Sequence, residues 1–289
     1  MNIKKIAFFG TGLLGEPMAH RLLEEKYPLT VYNRTLSKTE ALKKKGAVIA
    51  KTPGEAMIAA DVFIAMLSDY RAIEDVLVSR DPVLFKGKTL VQMSTISPQE
   101  SLTLKERIEN AGGEYLEAPV LGSIPQAKSR TLFILVGGSD AQFKKWDPLL
   151  SAFGDKRVHF GAVGKAAAAK LALNQLIASL TAAFSMSLGF LREKEVDIGK
   201  FMGILRESAL YAPTFDKKFD KMMHRDFANP NFPVKHLLKD VELILGAFGD
   251  AGIHTAPLQG VKEILIEAVD KGNSEMDYSA LYNAIHPAK

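Results

Sequence analysis

Up to Gly161 the chain alternates short apolar runs with stretches of helical periodicity, and beyond Gly161 that alternation stops. "KKIAFFG", "LTVYNR", "AVIA", "DVFIAML" and "KTLVQMS" read as strands. They alternate with "GEPMAHRLLEEK", "SKTEALKKKG", "TPGEAMIAA", "YRAIEDVLV" and "SPQESLTLKERIENAG", which read as helices. Strand alternating with helix builds βαβ units, a parallel sheet with helices on both faces. "GEYLEAPV" and "TLFILVGG" extend the sheet, and "FKKWDPLLSAFG" adds a helix. The second half reads as helices alone: an Ala-rich one over about 165–192, then amphipathic stretches near 197–208, 213–223, 234–251, 257–271 and 277–285. An α/β parallel-sheet domain over 1–162 is therefore expected, followed by an all-α domain over 163–289 that is entered through the long interdomain helix.

The first strand–helix junction reads "FFGTGLLGEPM", with Gly10-x-Gly12-x-x-Gly15. In this setting the first glycine makes a tight turn, the second admits a pyrophosphate to the backbone, and the third lets helix pack on strand. The helix N-terminus then faces the phosphate charge. This predicts a Rossmann-type dinucleotide site at Gly10, Thr11, Gly12, Leu13, Leu14 and Gly15. The second strand ends in "VYNRT", where an acidic residue would hold a ribose 2′-hydroxyl. Asn33, Arg34 and Thr35 stand there instead, with Lys38 close behind. A guanidinium and hydroxyls suit a 2′-phosphate that a carboxylate would repel, so NADP(H) is expected to be preferred over NAD(H).

"GKAAAAKLALNQLIASLTAAF" is almost entirely apolar, yet it carries Lys170 and, one turn later on the same face, Asn174. A lysine on a helix can snorkel to water. A buried ammonium is costly unless it is paired, shifted or used. "FFGTGLLGEPMAHRLL", "EAPVLGSIPQAKSRTL", "GAVGKAAAAKLALNQ" and "FPVKHLLKDVELIL" resemble, in order, the four signature blocks of the β-hydroxyacid dehydrogenase family. That family includes 3-hydroxyisobutyrate dehydrogenases, tartronate semialdehyde reductases and glyoxylate/succinic semialdehyde reductases. The resemblance implies a Rossmann domain, a long interdomain helix and a helical second domain, with the catalytic lysine and asparagine on Lys170 and Asn174. Lys170, in a cleft between the domains, would protonate the alkoxide formed on carbonyl reduction, and Asn174 would orient it or bind substrate oxygen.

Further positions follow from the resemblance one by one. Backbone N–H groups near Gly122 and Ser123 would meet a substrate carboxylate. Their loop reads Glu117-Ala118-Pro119-Val120-Leu121-Gly122-Ser123 where the family usually has D-A-P-V-S-G-G/S. Leu121 thus replaces a serine hydroxyl, which signals either a bulkier, more apolar substrate or drift at a pocket edge. Ser94 and Thr95 match a segment near nicotinamide and substrate, and Met66, Leu67 and Ser68 would line the cofactor groove, Ser68 standing where the family often has proline. Lys239 would approach the nicotinamide end, while Phe232 and Asp240 would close the pocket. From the residues alone, Phe232 reads as core and Lys239-Asp240 as an exposed charge pair on an amphipathic helix.

The expected activity is NADPH-dependent reduction of a small aldehyde or keto acid of the glyoxylate/succinic semialdehyde type to the hydroxy acid, the branch that the "NRT" turn and Gly122-Ser123 resemble, with Lys170 as proton donor. The alternative is NAD(P)-dependent oxidation of 3-hydroxyisobutyrate or a related β-hydroxy acid, and a non-catalytic cofactor-binding module is a third reading. Imine-reducing relatives generally replace the lysine, so Lys170 argues against that chemistry. With no cysteine, disulfides, thiolate catalysis and Cys-based metal sites are excluded, and the six histidines lack HxxxH or HxH spacing, so no metal is expected. A net charge of +4 gives no footprint for nucleic acid. Lys170, Asn174 and Gln175 argue against lipid around the long helix, so a cytoplasmic protein with no membrane partner is expected. The stripe Leu173, Ile177, Leu180 reads as core or as surface shared with a second subunit, in keeping with a homodimer or homotetramer.

Overall fold

A computed structural model describes residues 4–79 and 81–288. The first part of the chain runs β1 (Ile6–Phe9), α1 (Gly15–Glu24), β2 (Leu29–Tyr32), α2 (Glu40–Lys44), β3 (Val48–Ile49), α3 (Pro53–Ile58), β4 (Val62–Ala65) and α4 (Tyr70–Ile73). It continues through β5 (Thr89–Gln92), α5 (Pro98–Asn110), β6 (Glu114–Glu117), β7 (Val120–Leu121), α6 (Ile124–Lys128), β8 (Phe133–Gly137), α7 (Asp140–Leu150) and β9 (Lys156–Gly161). Then come only helices: α8 (Lys165–Glu193), α9 (Ile198–Glu207), α10 (Pro213–His224), α11 (Val234–Asp250), α12 (Ala256–Ala268) and α13 (Leu281–Ile285). The chain forms two compact units that divide between Lys170 and Leu171, inside α8.

In the first unit the described strands make one nine-stranded sheet, ordered β3-β2-β1-β4-β5-β6-β8-β7 with β9 paired to β8. From β3 to β6 every pairing is parallel, the Rossmann-type arrangement. The sheet then reverses. β8 runs antiparallel to both β6 and β7, and β9 parallel to β8. The single stretch "GEYLEAPV" forms two strands because Pro119 has no N–H to give a ladder. Along β1, Ile6 and Phe8 enter one core and Ala7 and Phe9 another, so both faces of the sheet are buried as parallel sheets require. Local signals set the helices: Ser97 and Glu100 form a reciprocal capping box on α5, with Pro98 at its start.

The second unit has a separate core. Leu171, Ala178, Ala182, Phe184 and Leu188 of α8 pack with Phe215, Met222, Leu237, Ile244, Leu265 and Tyr282, and the rings of Phe184 and Phe215 stack at 4.6 Å. By length and composition α8 could cross a bilayer, but these residues give its apolarity a use in this core. Ile177 and Leu180 pack at the core's margin. α12 stops at Ala268 rather than near 271, because a π turn takes over and Gly272 within it adopts φ +82°.

Candidate active site

The loop between β1 and α1 is shaped by what a Cβ would strike. At Gly10, φ +97°, it would lie 2.3 Å from the Met66 carbonyl oxygen, and at Gly15 1.9 Å from the Gly10 carbonyl oxygen. At Gly12 it would meet nothing within 4 Å. The outer two glycines are required by the chain's own backbone, whereas the middle one faces open space. Thr11 is buried; its N–H donates to Asn33 Oδ1 at 3.1 Å, and Asn33 Nδ2 donates to the Thr35 carbonyl at 2.9 Å. Asn33 therefore pins the glycine loop to the end of β2. Thr11 Oγ1 is buried with no hydrogen-bond partner among the described residues, and Leu14 starts α1 without a side-chain cap. Exposed Arg34, Thr35 and Lys38 follow, with no carboxylate between Asn33 and Lys38, and Leu13 is also exposed. An uncapped helix start, an orphaned buried hydroxyl and an empty space over Gly12 fit a dinucleotide pyrophosphate.

At the ends of β4 and β5, Met66 and Leu67 are half-buried and Ser68 is exposed. The Leu67 N–H donates to Ser94 Oγ at 2.8 Å, and Ser94 Oγ donates to the Ala65 carbonyl at 3.4 Å. Gln92 brackets the Ser94 backbone, accepting its N–H and donating to its carbonyl. Ser94 thus clips two strand ends together, and half-buried Thr95 follows it. In the next loop Gly122 has φ +136° and a Cβ there would lie 2.6 Å from Leu132 Cδ2. The N–H and hydroxyl of Ser123 both donate to Gln126 Oε1, at 3.0 and 2.9 Å. Leu121 sits directly across β7–β8 from Phe133, an apolar cross-strand pairing that gives the leucine a structural reason.

On α8, Lys170 is 8% exposed and Asn174 2%. Asn174 Nδ2 donates to Asp240 Oδ2 on α11 at 2.6 Å, while Asn174 Oδ1 is buried with no hydrogen-bond partner among the described residues. Lys239 Nζ lies 2.7 Å from Asp240 Oδ1, an ion pair between neighbours on α11. Asp240 is buried, so this is no solvated charge pair: the aspartate faces inward to Asn174. Half-buried Phe232 meets the Tyr278 ring edge-on at 5.8 Å and stacks with His236 at 6.3 Å. Burial, then the neighbouring Lys239 and Lys235, push His236 below the usual imidazole range.

Family models cover almost the whole chain. One, described as the NAD binding domain of 6-phosphogluconate dehydrogenase, matches residues 5–161, and one described as NAD-binding of NADP-dependent 3-hydroxyisobutyrate dehydrogenase matches 164–285. Glyoxylate/succinic semialdehyde reductase 1 of Arabidopsis thaliana is 33% identical over 285 residues, which are 97% of this chain and 98% of that protein. The chain belongs to the 3-hydroxyisobutyrate dehydrogenase family. As a 3-hydroxyisobutyrate dehydrogenase-like protein it is an NAD(P)-dependent oxidoreductase acting on small molecules. The family extends into longer proteins: cytokine-like nuclear factor N-PAC of Homo sapiens is 30% identical over 97% of this chain but 51% of its own length. The family fold also matches Mycobacterium tuberculosis 3-hydroxyisobutyrate dehydrogenase, solved with L-serine, with TM-score 0.84 over 98% of this chain and 99% of that one, at 22% identity.

Two contributors lie inside the block "EAPVLGSIPQAKSRTL" without the motif assigning them a role. Gln126 holds Ser123 at capping-box spacing, three residues on. Glu117, 0% exposed at the end of β6, accepts the N–H of Gly164 at 2.8 Å and of Ala167 at 2.9 Å. Its signal in the sequence is an acid closing the apolar run "YLEAPV".

Proposed function

We propose that this protein uses NADPH to reduce a small aldehyde or keto acid of the glyoxylate or succinic semialdehyde type to the hydroxy acid. The observation carrying this reading is a buried ammonium and a buried amide, Lys170 and Asn174, one turn apart on a largely apolar helix. The substrate class rests on the full-length likeness to the Arabidopsis reductase. NADPH, when bound, would supply the hydride. Lys170 Nζ would deliver a proton to the substrate oxygen that takes up the C=O electron pair, leaving the lysine as the neutral amine. Asn174 is held through Nδ2 by Asp240, which leaves Oδ1 to orient the ammonium or accept from the product hydroxyl. The backbone at Gly122 and Ser123 receives the substrate carboxylate once Gln126 releases the Ser123 N–H. Arg34 and Lys38, with the Thr35 hydroxyl beside them, would hold the cofactor's 2′-phosphate. The exposed Leu176, Met186 and Phe190 of α8 support self-association as a homodimer or homotetramer.

The test is oxidation of NADPH and NADH against a panel of small carbonyl acids, comparing wild type with Lys170→Ala. Loss of a general acid is expected to cut turnover about 10²–10⁴-fold while NADPH still binds. Surviving turnover in Lys170→Ala would remove the lysine from the chemistry, and equal efficiency with NADH would overturn the cofactor preference. Failure of the wild type on every acid would overturn the substrate class.

A further inference from the structure

We infer that Glu117 is a positioning residue that sets where Lys170 stands relative to the substrate loop. This rests on the reading of Lys170 as proton donor. α8 starts at Lys165, so Gly164 and Ala167 occupy the two positions whose N–H groups a capping box satisfies. No neighbouring serine does so here. One buried carboxylate reaches from the end of β6 and accepts both N–H groups. A helical side chain leans back over the turn N-terminal to its own Cα, so Lys170 lies over the turn that Glu117 holds. That turn is lined by Ala166 and Ala167, both buried and without rotamers to adjust. One residue after Glu117 the chain enters Ala118–Ser123, the loop proposed to receive the substrate carboxylate. A single side chain therefore links the two parts that must hold substrate oxygen and proton donor in register.

The carboxylate's seat is itself built. A Cβ on Gly137, which faces Glu117 across β6–β8, would lie 2.1 Å from Glu117 Oε2. Burial holds the Glu117 carboxyl above the usual carboxylate range, and the Gly164 and Ala167 N–H groups offset only part of that rise.

Two variants test the inference. Glu117→Gln keeps the shape but turns one acceptor into a donor facing an N–H. Gly137→Ala keeps the charge and displaces the carboxylate, so it also serves if the first variant folds poorly. Each loses a cap or overpacks a buried site, which lowers stability, and is expected to speed hydrogen–deuterium exchange over 164–170 well beyond any change in β1 to β5. Both should lower kcat by about 10–100-fold, since a displacement near 1 Å costs on that order, with KM and NADPH Kd within about threefold. The primary isotope effect on kcat with 4-deuterated NADPH should rise as the chemical step slows. Unchanged exchange over 164–170 would overturn the anchoring, and unchanged kcat would overturn the positioning. A fall in kcat that only tracks a fall in melting temperature would reduce Glu117 to a stability role. Lys170→Ala, run alongside, separates these outcomes from failure of the proton-donor reading, because it tests that reading whatever Glu117 does.

Discussion

Asn33 and Arg34 are neighbours at the end of β2 with different work. Asn33 spends its amide on Thr11 and Thr35, inside the protein, while the Arg34 side chain is exposed. Arg34→Ala is therefore expected to raise KM for NADPH about 10–100-fold, the loss of one charge-assisted contact of roughly 1.5–3 kcal/mol, and to leave NADH nearly unchanged. Asn33→Ala should weaken both cofactors alike, by about fivefold to tenfold, because it loosens the loop rather than the phosphate contact. Steady-state kinetics with each cofactor distinguishes the two; a cofactor-selective effect at Asn33 would contradict the loop-pinning role. Arg34 was legible as a charge at a strand end, and the structure leaves that charge exposed. The role of Asn33 was hidden, because its partner Thr11 is 22 residues away and bonds through its backbone. Lys170 and Asn174 were readable because four-residue spacing fixes a helical face, whereas Asp240, 66 residues from Asn174, needed the fold to bring it there.

The glycine loop behaves as an element in which identical residues have separable purposes. A methyl at Gly15 would collide with the Gly10 carbonyl, so α1 could no longer seat against β1. A methyl at Gly12 meets only open space. Gly15→Ala is expected to lower the melting temperature and cofactor affinity together, by the 1–3 kcal/mol typical of overpacking. Gly12→Ala should leave the melting temperature unchanged and weaken both cofactors at least tenfold, because it obstructs only the approach of a pyrophosphate. Thermal melts beside fluorescence titrations read both quantities; a lower melting temperature in Gly12→Ala would contradict the open cradle. At this scale the parallel strands β1 to β6 announced themselves as apolar runs between helices. β9 did not, because its residues alternate between exposed and half-buried and three of them are Lys156, Arg157 and His159. The antiparallel return of β8 was equally hidden, since strand direction is set by the connection through α6 between β7 and β8 and not by composition.

Among the described residues, the apolar side chains fall into cores that share no member between the sheet unit and the helical unit. What organises the helical unit's end is an ion pair that periodicity could not suggest. Lys218 Nζ on α10 donates to both oxygens of Asp277 at 2.8 and 2.9 Å, and Asp277 also accepts the N–H and hydroxyl of Ser279. The same ammonium lies 4.2 Å from the centre of the Tyr278 ring, whose edge contacts Phe232. The pair thereby fixes the segment that backs Phe232 and the start of α11. Lys218→Met leaves a fully buried carboxylate without its cation, and removing one partner of such a pair costs about 3–5 kcal/mol. Hydrogen exchange should accelerate across α10 to α13 while β1 to β6 and NADPH affinity stay as in the wild type. Equal acceleration in the strands would instead mean that the two units unfold as one. No change in either unit would mean that Asp277 is held well enough by Ser279 alone.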